Sequence, residues 1–115
     1  MEAETVKHNF NQTVLESELP VLAFFMSAKC STCFALSLII NELAEEYDGK
    51  IKFVKLNVEE NIESAELYGI KALPSVLLFD KSILVQKSLG FHYKNALKTW
   101  LEESIKSIGD LSESD

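Results

Sequence analysis

The chain has 115 residues, a formal net charge of −7 and 47% hydrophobic residues, and all 11 of its basic residues are lysine. This length and composition are typical of one globular domain that buries its core without disulfide or metal staples. An acidic chain without arginine is poorly suited to nucleic acid or to an anionic membrane, so we expect neither as a partner.

The pattern of apolar residues predicts the elements up to residue 50. Residues 4–7 form a short edge strand, and a short helix follows with Asn9 or Asn11 as its cap. The continuous apolar run at residues 21–26 is typical of a strand buried on both faces. A helix that ends near Gly49 comes next, because apolar residues recur there at helical spacing: Leu36, Ile39, Ile40, Leu43 and Tyr47.

In the second half of the chain, the pattern of residues predicts two helices and three strands. In order they are strand 51–58, helix 62–68 stopped by Gly69, strand 75–79, antiparallel strand 83–88 and a final helix after Gly90. The final helix has one apolar stripe, formed by Leu97, Trp100, Leu101, Ile105 and Ile108. The acidic tail at residues 110–115 is expected to be flexible.

This order of elements places a parallel pair of strands first and a hairpin with a covering helix second. We therefore predict an α/β fold with a central mixed sheet of four to five strands and helices on both faces. Residues 1–115 are expected to form a single domain. The site is expected where the strand at residues 21–26 ends, since open α/β sheets usually bind their ligands at carboxyl ends of strands.

Two cysteines three residues apart lie between the buried strand and the first long helix. Cys33 falls on the apolar face of that helix, and Cys30 falls where the helix begins. A helix N-terminus favours a thiolate over a thiol, and the charge of Lys29 and the hydroxyls of Ser31 and Thr32 add to this effect. We predict that Cys30 is the nucleophile, with a pKa below the roughly 8.5 of a free thiol, and that Cys33 is the resolving thiol.

The cysteine pair has two other interpretations, half of a four-ligand zinc site or two inert core thiols. The chain has only two cysteines, and His8 and His92 lack zinc-finger spacing, so we expect no metal. We expect no bound cofactor either, because a redox-active cysteine pair itself carries two electrons. The start of the chain is polar, and no apolar run approaches the roughly 18 residues of a membrane span. We therefore expect a cytoplasmic location, where a lone cysteine pair is more often catalytic than structural.

Three segments resemble the thioredoxin family in order and spacing, from Phe10 to Ile108: VLAFFMSAKCSTC, KLNVEENIESAELYGIKALPSVLLF and the glycine of KSLGF. The resemblance implies the thioredoxin fold, with CSTC as the active-site motif. It also implies that the peptide bond before Pro74 is cis and faces the cysteines. The substrate groove of the family carries over to Lys29, Ser31, Thr32, Leu73, Pro74, Gly90 and Phe91.

The sequence departs from the family pattern around the cysteines. Lys29 and Met26 stand where the family has tryptophans, and Ser-Thr replaces Gly-Pro between the cysteines. Phe24 stands where the family has a buried acid beneath the second cysteine, and Lys55 matches the lysine that partners this acid. Because phenylalanine cannot accept a proton, we expect Cys33 to lose its proton through Lys55 or water, and mixed disulfides to be resolved more slowly.

The sequence therefore predicts a thioredoxin-type thiol–disulfide oxidoreductase that reduces protein disulfides through Cys30 and Cys33. Disulfide-containing proteins would be its substrates, a flavoprotein resembling thioredoxin reductase its electron donor, and a monomer its expected state. Two alternatives are open. One is a more oxidising disulfide isomerase, since Ser-Thr and Lys29 stabilise the thiolate. The other is a thioredoxin-fold adaptor with vestigial redox activity, which Phe24 and Lys29 suggest.

Overall fold

The computed structural model describes residues 3–6 and 10–113. The strands in these residues are β1 (Glu4–Val6), β2 (Val21–Met26), β3 (Lys52–Asn57), β4 (Ser75–Asp80) and β5 (Ile83–Leu89). The α-helices are α1 (Ser31–Glu46), α2 (Ile62–Leu67) and α3 (Lys94–Glu113). A π-helical turn, Asn11–Leu15, lies between β1 and β2.

The five strands form one mixed sheet in the order β1-β3-β2-β4-β5. β3 is parallel to both of its neighbours, β1 and β2, whereas β4 is antiparallel to both β2 and β5. The predicted fold class is confirmed, including the edge position of the first strand. β2 takes the central position because its unbroken apolar sequence suits a strand covered on both faces, and all its residues except the last are buried.

Helices cover the two faces of the sheet, and alternate residues of β2 point to one face or the other. Leu22 and Phe24 join a core cluster with α1 and α3. Ala23 and Phe25 join a second cluster with the π-helical turn and α2. The predicted apolar face of α1 is confirmed, because its side chains are buried in the first cluster or packed against it: Leu36, Ile39, Ile40, Leu43 and Tyr47.

The start of the π-helical turn differs from the sequence prediction. Asn11 was expected as a cap, but it is the first residue of the turn, and Phe10 precedes it with helical backbone angles. The ring of Phe10 is buried among aromatic side chains, so packing rather than a side-chain cap fixes this end. Asn9, the other expected cap, lies outside the described residues.

The last helix is longer than the sequence suggested. α3 continues to Glu113, into the segment that was expected to be a flexible tail. Ile105 and Ile108 pack against the first core cluster, and a helix held there by tertiary contacts extends cooperatively. Even so, none of the helices in the described part of the chain combines the length and apolar character needed to cross a membrane.

Charged side chains join α1 to α3 at the end of α1 that is farther from the cysteines. Glu46 forms ion pairs with Lys94 and with Lys98, the latter at 2.9 Å. Glu42 adds a contact of 3.8 Å to Lys94. Hydrogen bonds from Lys94 and Lys98 lower the pKa of Glu46, and the bond to Glu46 raises the pKa of Lys94.

We expect Glu46→Gln to lower the melting temperature near neutral pH but not in acid. The folded-state pKa of Glu46 lies below its ordinary value of 4.5, so its ion pairs stabilise the fold above that value and are lost as the pH falls through the lowered pKa. The measurement is the melting temperature of both proteins from about pH 3 to about pH 8. Glu103→Gln, which removes an exposed carboxylate of α3, controls for net charge. A difference that stays constant with pH would show that packing, not charge, is responsible.

Candidate active site

Cys30 lies where the chain leaves the sheet and enters α1. β2 ends at Met26, residues 27–29 form a turn, and Cys30 takes the N-cap position of α1 with extended backbone angles of φ −103° and ψ 107°. Its sulfur accepts a hydrogen bond from the N–H of Cys33 at 3.2 Å. The sulfur thus does what a serine or aspartate oxygen usually does at a helix start, which is to satisfy one of the unpaired N–H groups.

Cys33 lies in the first turn of α1 and is joined to Cys30 by a disulfide. The two Cα atoms are 5.2 Å apart, within the usual range for such a bond. Cys33 is fully buried, at 0% exposure, in the cluster beneath α1. Cys30 is only half-buried, so it is the more accessible residue of the pair.

A network of hydrogen bonds holds the turn before Cys30. The hydroxyl of Ser27 donates to Oε1 of Glu59 at 3.1 Å and accepts from the N–H of Lys29 at 3.3 Å. The N–H of Cys30 donates to the carbonyl of Ser27 at 3.2 Å. Neither Ser27 nor Glu59 was predicted from the sequence to belong to the site. A serine directly after a strand is a recognisable turn former, but its partner 32 residues away gives no local signal.

The residues between and beside the cysteines are open to solvent. Lys29, Ser31 and Thr32 are all exposed. The hydroxyl of Thr32 lies 3.4 Å from the sulfur of Cys30, a distance at which it can donate a hydrogen bond to it. Of the two hydroxyls that were expected to reach the sulfur, the structure therefore assigns the contact to Thr32.

Strand register brings the predicted groove segments to one edge of the sheet. Phe25 pairs with Ser75, and Ser75 pairs with Leu89 on its other side. The end of β2, the start of β4 and the end of β5 therefore lie side by side. The cysteine turn, the Leu73–Pro74 peptide and Gly90 all leave the sheet at this edge.

The Leu73–Pro74 peptide bond is cis, as the family resemblance implied. The N–H of Gly90 donates to the carbonyl of Pro74 at 2.8 Å, which ties the two groove loops together. Gly90 has φ +84°, a left-handed conformation that favours glycine at this position. Leu73 and Phe91 pack against the core cluster that contains Cys33, so their side chains border the same region.

Phe24 and Lys55 are register partners on β2 and β3. Phe24 is fully buried in the cluster that also contains Cys33, as expected for a core residue. The Nζ of Lys55 donates a hydrogen bond of 2.7 Å to the hydroxyl of Ser37 on α1. Ser37 was not singled out from the sequence, although its position four residues after Cys33 places it one turn along the same helix.

The described residues contain no group of three or more potential ligands that could hold a metal ion. His92 is exposed, with Nε2 at 3.2 Å from the carbonyl of Leu89, and His8 lies outside the described residues. The paired cysteines need no further group, because a disulfide and a dithiol differ by two electrons and two protons. The protein is therefore of the thiol–disulfide oxidoreductase class.

Comparison with known proteins agrees with this class. The thioredoxin family model matches residues 2–103. The chain is 36% identical to the thioredoxin of Rickettsia bellii over 105 residues, which is 91% of this chain and 100% of the relative. It is 35% identical to thioredoxin 1 of a Nostoc species (90% and 96% covered) and 39% identical to the thioredoxin of Buchnera aphidicola (90% and 95% covered). The chain belongs to the thioredoxin family, and Cys30 and Cys33 are its redox-active pair.

These similarities bear on the alternatives left open by the sequence. Neither the adaptor with vestigial redox activity nor the more oxidising isomerase is favoured by them. The replacements at Phe24 and Lys29 leave the cysteine geometry intact, since Cys30 still caps α1 and Cys33 still lies beneath it.

We expect Thr32→Val to slow alkylation of Cys30 in the reduced protein by about threefold to tenfold near neutral pH. Valine keeps the shape of threonine but removes a hydrogen bond to the sulfur, and one such bond is worth about 1 kcal/mol. The measurement is the rate of reaction with iodoacetamide. Ser31→Ala, which removes an exposed hydroxyl next to it, is the matched control. Equal slowing in the two variants would contradict a specific role for the Thr32 contact.

Proposed function

We propose that the protein reduces disulfide bonds of other proteins, with Cys30 as the nucleophile and Cys33 as the resolving thiol. The observation that carries this proposal is the hydrogen bond from the N–H of Cys33 to the sulfur of Cys30. In the reduced protein this donor and the positive end of the α1 dipole both favour the thiolate of Cys30 over the thiol. Burial leaves Cys33 able to react only with what is already bound to Cys30.

The cycle has two exchange steps. The thiolate of Cys30 attacks one sulfur of a substrate disulfide, a mixed disulfide forms, and the other substrate sulfur leaves and takes a proton. Cys33 then loses its proton and attacks Cys30, so that the Cys30–Cys33 bond forms and the second substrate thiol is released. Two electrons have passed from the cysteine pair to the substrate, which ends as two thiols.

We assign substrate binding to the edge where the groove loops meet. An extended substrate strand would lie between the cysteine turn and the Leu73–Pro74 peptide, with its cysteine against Cys30 and its backbone pairing beside Pro74. The contact surface would include Phe91 and Gly90. On the cysteine side it would be formed by the exposed residues Lys29, Ser31 and Thr32.

A donor must return two electrons to the Cys30–Cys33 disulfide after each cycle. We propose that it is a flavoprotein reductase of the thioredoxin-reductase kind, since no bound cofactor of this protein is required. A reducing compartment, the cytoplasm, fits a protein that works as a reductant. The chain acts as one thioredoxin domain and as a monomer in this proposal.

We expect Cys33→Ser to accumulate a mixed disulfide between Cys30 and substrate proteins. The substitution leaves the nucleophile in place but removes the thiol that would release the substrate. The measurement is non-reducing electrophoresis and mass spectrometry of adducts formed with a model disulfide protein such as insulin. In the same assay Cys30→Ser should form no adduct and should reduce insulin no faster than a sample without protein. A Cys30→Ser variant that retains activity would overturn the assignment.

We propose that Lys55, expected from the sequence as a proton relay, helps Cys33 to ionise through its positive charge, while solvent takes the proton. It lies beside Phe24 in the sheet, and it reaches α1 one turn from Cys33. With phenylalanine at position 24 there is no carboxylate beneath the second cysteine, so the charge of Lys55 and the solvent are what remain to help Cys33 ionise.

Phe24→Asp should raise the rate at which the mixed disulfide is resolved, in protein that remains folded. The carboxylate would accept the proton of Cys33 and would pair with Lys55. The cost is stability, by about 3 kcal/mol or more, because a fully buried phenylalanine is lost. The measurements are insulin reduction and thermal unfolding, with Phe24→Leu as the packing control. An unchanged or lower rate in folded Phe24→Asp protein would contradict the proposal.

A further inference from the structure

Ser37 forms a side-chain hydrogen bond that links the helix carrying the cysteines to β3. Its hydroxyl accepts a hydrogen bond of 2.7 Å from Nζ of Lys55. Both side chains are half-buried, so the contact is partly shielded from water. A partly shielded ammonium exerts a stronger field on its neighbours than one in bulk solvent.

The position of Ser37 on α1 fixes where the ammonium lies. Side chains four residues apart on a helix are neighbours, and helical side chains lean towards the N-terminus, so Ser37 leans towards the turn that holds Cys33. Cys33 is in the core cluster on the α1 side of the sheet, and Lys55 points to that side because its register partner Phe24 does. Residues at this spacing have Cβ atoms roughly 5–6 Å apart, so the ammonium bound to Ser37 lies near Cys33.

Among the described residues, several uncharged side chains pack around this region. From β2 they are Phe24 and the half-buried Met26, and from β1 it is Thr5, the register partner of Lys55. From the groove loop it is Leu73, which packs against the same cluster. Lys29 adds a charge on the exposed turn before Cys30. Lys55 thus places a positive charge on the sheet side of Cys33.

We propose that Ser37 is a positioning residue that holds the ammonium of Lys55 close to Cys33 and so assists the second exchange step. This inference rests on the proposed role of Cys33 as the resolving thiol. In that step the sulfur of Cys33 gives up its proton to solvent and becomes a thiolate. The thiolate then attacks Cys30, the bond from Cys30 to the substrate sulfur breaks, and the departing thiolate is protonated. The ammonium stabilises the thiolate of Cys33 without itself being consumed.

The test follows the two releases of thionitrobenzoate when the reduced protein reacts with Ellman's reagent. The first release reports attack by Cys30 and depends on reagent concentration, whereas the second reports attack by Cys33 and does not. Ser37→Ala should leave the first rate unchanged and lower the second by about five- to tenfold near neutral pH. This is the change expected when a unit charge about 7 Å away moves to about twice that distance. The pH midpoint of the second phase should also move upwards.

Three further variants separate positioning from a structural effect. Ser37→Thr keeps the hydroxyl and should restore the second rate. Lys55→Met should slow the second phase on its own, and adding Ser37→Ala to it should have little further effect, because the two residues act through one charge. Ser104→Ala removes a buried hydroxyl from α3, where it donates to the carbonyl of Trp100, and should change neither phase.

The outcomes distinguish this inference from the function on which it rests. If Cys30 gives no first phase in the wild-type protein, the proposed function fails. If the first phase is normal but Ser37→Ala equals wild type in rate and pH midpoint, only the role of Ser37 fails. That role is also overturned if Ser37→Thr behaves like Ser37→Ala, or if Ser37→Ala is equally damaging in the Lys55→Met background.

Discussion

The hydrogen bond from the N–H of Cys33 to the sulfur of Cys30 is the contact on which the site depends. Through this bond the sulfur of Cys30 caps α1, because it accepts from an N–H group that has no partner within the helix. The helix start in turn favours negative charge on that sulfur. The reactivity of Cys30 therefore depends on the folding of the first turn of α1. A change that unwinds this turn also removes the hydrogen bond and the helix dipole that stabilise the thiolate of Cys30.

The pairing of the strands brings the loops around the cysteines together at one edge of the sheet. The groove loops follow Met26, precede Ser75 and follow Leu89, positions far apart in the chain that strand pairing places at a common edge. Because β2 is central and buried on both faces, the carboxyl end that presents the cysteine turn is held by two neighbouring strands rather than one. The cysteine turn is thereby attached to the central strand of the sheet.

The features that could be predicted from the sequence are those that depend on the pattern of neighbouring residues along the chain. The unbroken apolar run of β2 and the helical spacing on α1 fixed their burial, and these two elements alone place both cysteines. Features that depend on contacts between distant residues were missed. The partner of Lys55 is 18 residues away on another element, and that of Ser27 is 32 residues away. The cap expected at Asn11 was wrong because the aromatic packing of Phe10 outweighs a local capping preference.

The ion pairs of Glu46 with Lys94 and Lys98 give α1 an anchor of a different physical kind from the one at its cysteine end. These charges are exposed enough to be screened by dissolved ions, whereas the burial of Cys33 and Leu36 is not an interaction between charges. Raising the ionic strength therefore weakens the ion pairs between α1 and α3, whereas the apolar packing that buries Leu43 near that end of α1 is retained. The position of α1 on the sheet is therefore expected to depend little on the salt content of the medium.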